Sequence, residues 1–220
     1  ALFPPSFWDT VCNDVLFPIF NVLRNRSDVT RFSTHEDMSV WLSTTMIQAL
    51  RHLVALWTHF FDTLQSRLGG LLELLCACIC QENDTLARIG TACLQQLIVQ
   101  NLTHMDASAW ELVADAFLRL FRATIATQVF GPALSSTEHA MPATERRAAF
   151  KQIIVKCVLQ LLLIETAHEL LQDTAVYEAV PVAQLLRLTA ALEDSYRFSR
   201  RFNADRELRT ALWKLSLIHI

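Results

Sequence analysis

The chain has 220 residues, 52% of them hydrophobic, with four glycines and a net charge of −3. So apolar and glycine-poor a composition excludes a disordered chain and a turn-rich β protein, and suits packed helices. The near-neutral balance argues against nucleic acid as a partner, and the longest uncharged run, Ile89 to Met105, is too polar to span a membrane.

The N-terminus lacks a basic region ahead of an apolar one, so no secretory signal is predicted. A chain opening on alanine reads as a fragment of something longer. The first helix is predicted from Ser6, as its cap, to Leu23, with Phe7, Val11, Val15 and Ile19 on one stripe beside Trp8, Cys12 and Leu16. Pro18 inside that pattern predicts a kink or an early stop. The polar stretch Asn25 to Glu36 reads as a surface loop. A long helix follows from Asp37 to Leu64, with Trp41, Leu42, Met46, Leu50, Leu53, Leu56, Trp57, Phe60, Phe61 and Leu64 on a broad apolar face. Gly69-Gly70 then permits a turn or a tightening.

Leu71 to Gln100 is the organising stretch, a helical hairpin around the polar turn Glu82-Asn83-Asp84. Its first helix is apolar almost all round, with Glu73 the lone charge between Leu71 and Cys80. Asp84 is the predicted cap of the second, in which Leu86, Ile89, Cys93 and Leu97 keep the helical period and Leu94 and Ile98 widen it. One hairpin cannot cover that much apolar surface, so stacked neighbours are required. Gly90, inside the second helix, predicts a close approach by another helix.

Ser108 and Glu111 have capping-box spacing ahead of a helix carrying Trp110, Val113, Phe117, Leu120, Phe121 and Ile125. Residues 127–144 dissolve into Gly, Pro, Ser and Thr and read as a variable loop. The helix from Glu145 to Leu171 has one narrow polar stripe, Gln152, Lys156 and Gln160, and is otherwise apolar from Ile153 to Ile164. It is expected to lie between two neighbours. Pro181 suits the first turn of the next helix, with Leu185, Leu186, Leu188, Leu192 and Tyr196, and Asn203 is the expected cap of a last one with Leu208, Leu212 and Trp213. The predicted architecture is all-α, about eight helices in antiparallel pairs of roughly 40 residues, stacked as a HEAT- or armadillo-like α-α superhelix. Residues 1–214 read as a single domain, and 215–220 as a truncated or artefactual tail.

The six cysteines, Cys12, Cys76, Cys78, Cys80, Cys93 and Cys157, lie within helical apolar patterns. In Cys76-Ala77-Cys78-Ile79-Cys80 the middle thiol points about 160° away from the outer two on a helix. Tetrahedral metal binding needs four convergent ligands, so buried structural thiols in a reducing cytosol are the reading, and no metal or cofactor is predicted. There is no HExxH, no GxSxG and no phosphate-cradling glycine loop. His168 reads as a hydrogen-bonded residue at the edge of the core, and the carboxylates Asp9 with Asp14 and Glu193 with Asp194 as solvated. No catalytic residue is predicted.

From Ser195 to Lys214 six basic residues stand against two acidic ones, a net +4. Arg197, Arg200, Arg201, Arg206 and Arg209 are the candidate contacts with a partner or an anionic membrane, interleaved with Tyr196, Phe198, Phe202 and Trp213. The competing reading is an exposed basic face over an apolar one, interrupted by Asp205 and Glu207.

Collinear pieces of the chain resemble a known family. They are Phe7-Trp8 through Leu16-Phe17-Pro18-Ile19-Phe20; Trp41-Leu42-Ser43-Thr44-Thr45 with Ala49-Leu50; Gln81-Glu82-Asn83 with Leu86-Ala87-Arg88-Ile89-Gly90 and Cys93-Leu94; Trp110; Lys156-Cys157-Val158-Leu159-Gln160-Leu161; Ser195-Tyr196-Arg197-Phe198; and Phe202-Asn203 with Leu208-Arg209-Thr210-Ala211-Leu212-Trp213. Together they resemble the C-terminal helical region of the large trans-Golgi guanine-nucleotide exchange factors for Arf GTPases, the Sec-seven or brefeldin A-inhibited class. The resemblance implies that exchange itself belongs to a separate upstream domain. It implies a cytoplasmic, non-catalytic regulatory scaffold, peripheral at the trans-Golgi membrane. Its expected partners are Arf- and Rab-type small GTPases, other parts of the same factor, a second copy, or an anionic membrane. A general HEAT or armadillo adaptor binding a protein or peptide is the alternative, although the sequence shows no ladder of asparagines and tryptophans for such a groove.

Overall fold

The computed structural model describes residues 3–20, 42–131 and 143–217, and no strand occurs among them. Its helices are α1 (Pro5–Thr10), α2 (Ile47–His59), α3 (Phe61–Leu64), α4 (Leu68–Ile79), α5 (Asp84–Gln100), α6 (Ala107–Thr124), α7 (Ala143–Gln172), α8 (Thr174–Ala179), α9 (Val182–Ala204) and α10 (Arg206–Leu217). They stack in two layers. Helices α2, α5 and α7 lie side by side in one, and α4, α6 and α9 in the other. The expected all-α superhelix of paired helices is the observed fold. Among the described residues no helix is long and apolar enough to cross a membrane.

Several local expectations are corrected by hydrogen bonding. The first helix begins at Pro5, where Pro4 O accepts from Phe7 N at 3.0 Å, and Ser6 caps nothing. It widens into a π-helical stretch over Val11–Leu16 and tightens to a 3₁₀ turn over Phe17–Phe20, the response of the backbone to the amide missing at Pro18. The expected helix end to Leu23, the loop Asn25 to Glu36 and the helix start from Asp37 to Trp41 lie outside the described residues. The long second helix breaks at Phe60, whose φ of −121° and ψ of 33° leave the helical region. The turn assigned to Gly69-Gly70 occurs instead at the 3₁₀ turn Gln65–Arg67, and both glycines lie inside the first turns of α4. A Cβ at Gly70 would stand 2.7 Å from the Phe17 ring, so the glycine lets that ring lie against the helix.

The hairpin of α4 and α5 is as expected, but Asn83 caps it, its Oδ1 accepting from Leu86 N at 2.9 Å. Asp84 is the first helical residue and pairs with Arg88 at 2.9 Å. Capping is similarly displaced at α6, where Asp106 accepts from Ala109 N at 2.8 Å and Ser108 and Glu111 stay exposed in the first turn. At α10 Asp205, and not Asn203, accepts from Leu208 N at 2.9 Å. Pro181 takes the cap position of α9, one residue before the helix.

The main core runs through both layers, from Cys12 and Trp57 through Leu72, Leu94 and Phe121 to Leu163 and Ala191. Burying each large apolar side chain contributes roughly 1.5–3 kcal/mol before chain entropy is offset. A smaller cluster of Ala126, Val129, Ile153, Leu208 and Leu212 holds α10 against the connection from α6 to α7. Residues 127–130 of the expected loop form a 3₁₀ turn there; 132–142 lie outside the described residues.

Helix α7 departs most from its sequence reading. Gln160, read as part of a narrow polar stripe, is buried and bonded to both neighbouring helices, accepting from Thr124 of α6 and donating to Ser195 of α9. Ile154, Val158 and Leu161 are exposed instead, so the helix is covered on one side and open on the other.

Candidate functional site

The basic stretch is built by the last two turns of α9 and the first turns of α10. Phe198 and Phe202 turn inward against the smaller core, which carries the arginines of the same helix outward. Arg197, Arg200, Arg201, Arg206 and Arg209 are all exposed. Three of them have local partners. Arg197 pairs with Glu193 one turn earlier at 2.6 Å; Arg200 lies 5.8 Å from the Tyr196 ring centroid; Arg201 lies 3.9 Å above Phe130, which itself meets Phe198 edge to face. Cation–ring contacts of this kind hold a guanidinium in place without neutralising it. Arg206 and Arg209 make no ion pair with a described residue.

Of the two carboxylates that interrupt the run, Asp205 is engaged as the cap of α10. Tyr196 and Trp213 are 61% and 63% exposed, so the face combines fixed cations with amphipathic rings. The basic-face-over-apolar-face reading therefore describes the two phenylalanines, while the tyrosine and tryptophan are largely exposed to solvent.

A second set of side chains was not legible in the sequence. Across α4, α6 and α9 run two adjoining clefts of about 310 and 220 Å³, sharing Leu118, Arg122 and Arg187. Arg187 is tied to Asp115, and Arg119 faces Glu73 at 3.8 Å, so acids and bases alternate along the groove. These residues come together only because three helices distant in sequence form one layer.

The thiols behave as structural groups with one exception. None of the six is in a disulfide; Cys12, Cys78 and Cys93 are buried, Cys76 and Cys157 half-buried, and Cys80 is exposed at the end of α4, outside the expected buried set. Burial pushes Cys76 and Cys93 up to about 11. Among the described residues no group of three or more His, Cys, Asp or Glu could hold a metal. His168 is exposed, hydrogen-bonded to Gln172 at 2.9 Å, and so sits farther from the core than expected.

Comparison with known proteins assigns the family. The ADP-ribosylation factor guanine nucleotide-exchange factor SEC7 of Saccharomyces cerevisiae is 34% identical over 96% of this chain, and sec72 of Schizosaccharomyces pombe, of the same description, is 36% identical over 96%. The chain belongs to the large Arf guanine-nucleotide exchange factors. It corresponds to part of their C-terminal region, since a family model described as the BIG2 C-terminal domain matches residues 158–219. The Brefeldin A-inhibited guanine nucleotide-exchange protein 1 of Rattus norvegicus is 22% identical over 91% of the chain. The chain spans only 13–15% of the length of these relatives. No solved structure matches it. Within this exchange-factor region, all five candidate arginines fall in the segment that the C-terminal domain model covers.

Proposed function

We propose that this region is a non-catalytic regulatory and protein-interaction scaffold of an Arf exchange factor acting in Golgi vesicle trafficking, cytoplasmic and peripheral at the trans-Golgi membrane. The exchange reaction is assigned to another part of the longer protein. The observation that carries the reading is the basic face of α9 and α10: cations held over aromatic rings, beside exposed Tyr196 and Trp213, on a rigid two-layer helical array in the segment matched to the family's C-terminal domain. A cationic face with amphipathic rings suits contact with the acidic surface of a membrane-bound small GTPase of the Arf or Rab type, or with the anionic membrane beside it. Contacts with other parts of the same factor, including a second copy, are further routes to regulation.

The test is a pull-down of the chain with GTP-loaded and GDP-loaded Arf and Rab proteins, run beside co-sedimentation with anionic vesicles and a sizing measurement. Binding to a GTP-loaded GTPase that weakens when Arg206 and Arg209 are replaced by glutamate supports the reading. An absence of GTPase, vesicle and self-association would leave the region a passive spacer and refute it.

A further inference from the structure

The Gln160 amide, bonded to Thr124 and Ser195, fixes which side of α7 turns away from the core. On that side Lys151, Ile154, Val158, Leu161 and Glu165 are all exposed, Leu161 by 67%. Their steps of three and four residues keep them within an arc of about 80° on a helix that turns about 100° per residue. This is the spacing of a helix–helix seam, in which one helix packs its stripe against the same pattern on a partner.

The stripe is self-complementary about Val158. Ile154 lies four residues before it and Leu161 three after; Lys151 lies seven before and Glu165 seven after. Farther out, Arg147 and Glu169, both exposed, stand eleven residues before and after. A second copy laid antiparallel across a two-fold axis at Val158 sets Ile154 against Leu161, Lys151 against Glu165 and Arg147 toward Glu169, twice each. A parallel copy would set like charge on like.

Nothing inside the helix accounts for this order of charge. Arg146, Arg147, Lys151 and Lys156 stand in the first half of α7 with Glu145, and Glu165 and Glu169 stand in the second. The helix dipole favours the reverse, acids first and bases last. An antiparallel neighbour offsets the dipole and the side-chain charges together. Lys151 already reaches Glu82 at 3.0 Å, but that pair is exposed and an ammonium has three donors, so a second carboxylate can share it. Arg88 of α5 is within electrostatic reach of Glu165 but is engaged by Asp84 at 2.9 Å. An anionic membrane would be repelled by Glu165 and Glu169 along the same face.

We propose that the outer face of α7 is a self-association surface, on which a second copy of this chain packs its own α7 antiparallel about Val158. Three apolar side chains from each copy make a small contact of the weak, transient class. The proposal gives the second-copy route of the scaffold reading a surface and a register. The variants below leave Arg206 and Arg209 in place, so binding of a GTPase or of vesicles at the basic face can hold or fail independently.

Sedimentation equilibrium of the 220-residue chain, from about 1 μM to about 1 mM, measures the dimer. Leu161→Glu should weaken it at least about tenfold, and so should Lys151→Glu or Glu165→Lys alone. Lys151→Glu and Glu165→Lys combined in one chain should restore it. A mixture of the two singly reversed chains should pair, although neither pairs with itself. All three positions are exposed, so circular dichroism and the melting midpoint should stay those of the parent. A chain that is monomeric throughout, or a dimer indifferent to Leu161→Glu, overturns the proposal. So does a combined reversal that leaves the chain monomeric, because the antiparallel register requires rescue. Binding of phosphatidylserine vesicles by a monomeric chain, abolished by Leu161→Glu, would give the face to a membrane instead and overturn it too.

Discussion

Alanine in place of two helical glycines should move stability in opposite directions, although helix propensity favours alanine at both. At Gly69, in the first turn of α4, an added Cβ would meet only Leu112 Cδ2 at 3.9 Å, an ordinary contact. Gly69→Ala then lowers the entropy of the unfolded chain without strain and should stabilise by ~0.4–1 kcal/mol. At Gly90, inside α5, the Cβ would stand 2.8 Å from Ile79 Cγ1 and 3.3 Å from the Ile79 amide nitrogen. Neither atom is the free end of a side chain. Propensity returns about 1 kcal/mol, but overpacking a tight contact between two helices costs ~1–3 kcal/mol. The net loss should reach ~2 kcal/mol, a midpoint lowered by ~4–8 °C in a chain of this size. Gly90→Leu should lose more. Thermal and urea melts of the three variants against the parent chain decide the matter. A Gly90→Ala or Gly90→Leu chain that kept the parent's midpoint would refute the close approach of α4 and α5, and a lowered midpoint for Gly69→Ala would refute the contact argument as a whole.

Other consequences follow from hydrogen bonding and burial. Asn83→Ala removes the cap of α5 and should cost about 1 kcal/mol in a urea melt, against a smaller loss for Asp84→Ala, which breaks an exposed pair with Arg88; the reverse order would return the cap to Asp84. Gln160→Leu should stay within ~1 kcal/mol of the parent, because Thr124 keeps Leu120 O at 2.8 Å and Ser195 keeps Ala191 O at 3.2 Å as acceptors, while Gln160→Ala should lose ~2 kcal/mol or more through the space it opens. Equal losses would mean that the amide itself holds α6, α7 and α9 in register. Cys93 is pushed up from an ordinary 9.0 to about 11, so the unfolded chain releases its proton first and stability should fall as pH rises from about 9 to about 11. Urea midpoints across that range should drop less steeply in Cys93→Val; identical slopes would remove the thiol from the explanation.

Much of the fold was legible because α5 and α6 have a clear inside and outside. Leu86, Cys93, Leu94 and Leu97, and likewise Val113, Phe117, Leu120 and Phe121, are all buried as their spacing requires. Gly90 announced the close approach to Ile79 for the same reason, since a glycine disfavoured in a helix needs a contact to explain it. Caps were less legible. Asn83, Asp106 and Asp205 each stand within two residues of the expected cap, and several short polar side chains in a row leave the choice to the backbone angle. The candidate arginines were visible as composition, but their rings were not: Phe130 reaches Arg201 from a stretch 71 positions earlier in number.

The sequence by itself determined that this chain is helical, which stretches pair as a hairpin, and to which family of exchange factors it belongs. Those properties rest on local period and on residue order. Tertiary structure alone decided which way α7 faces. That helix is apolar on nearly every side, so its pattern assigns no outside, and the arrangement of its neighbours does. Thr124 and Ser195 satisfy the buried amide of Gln160 between them, and that places Ile154, Val158 and Leu161 against solvent.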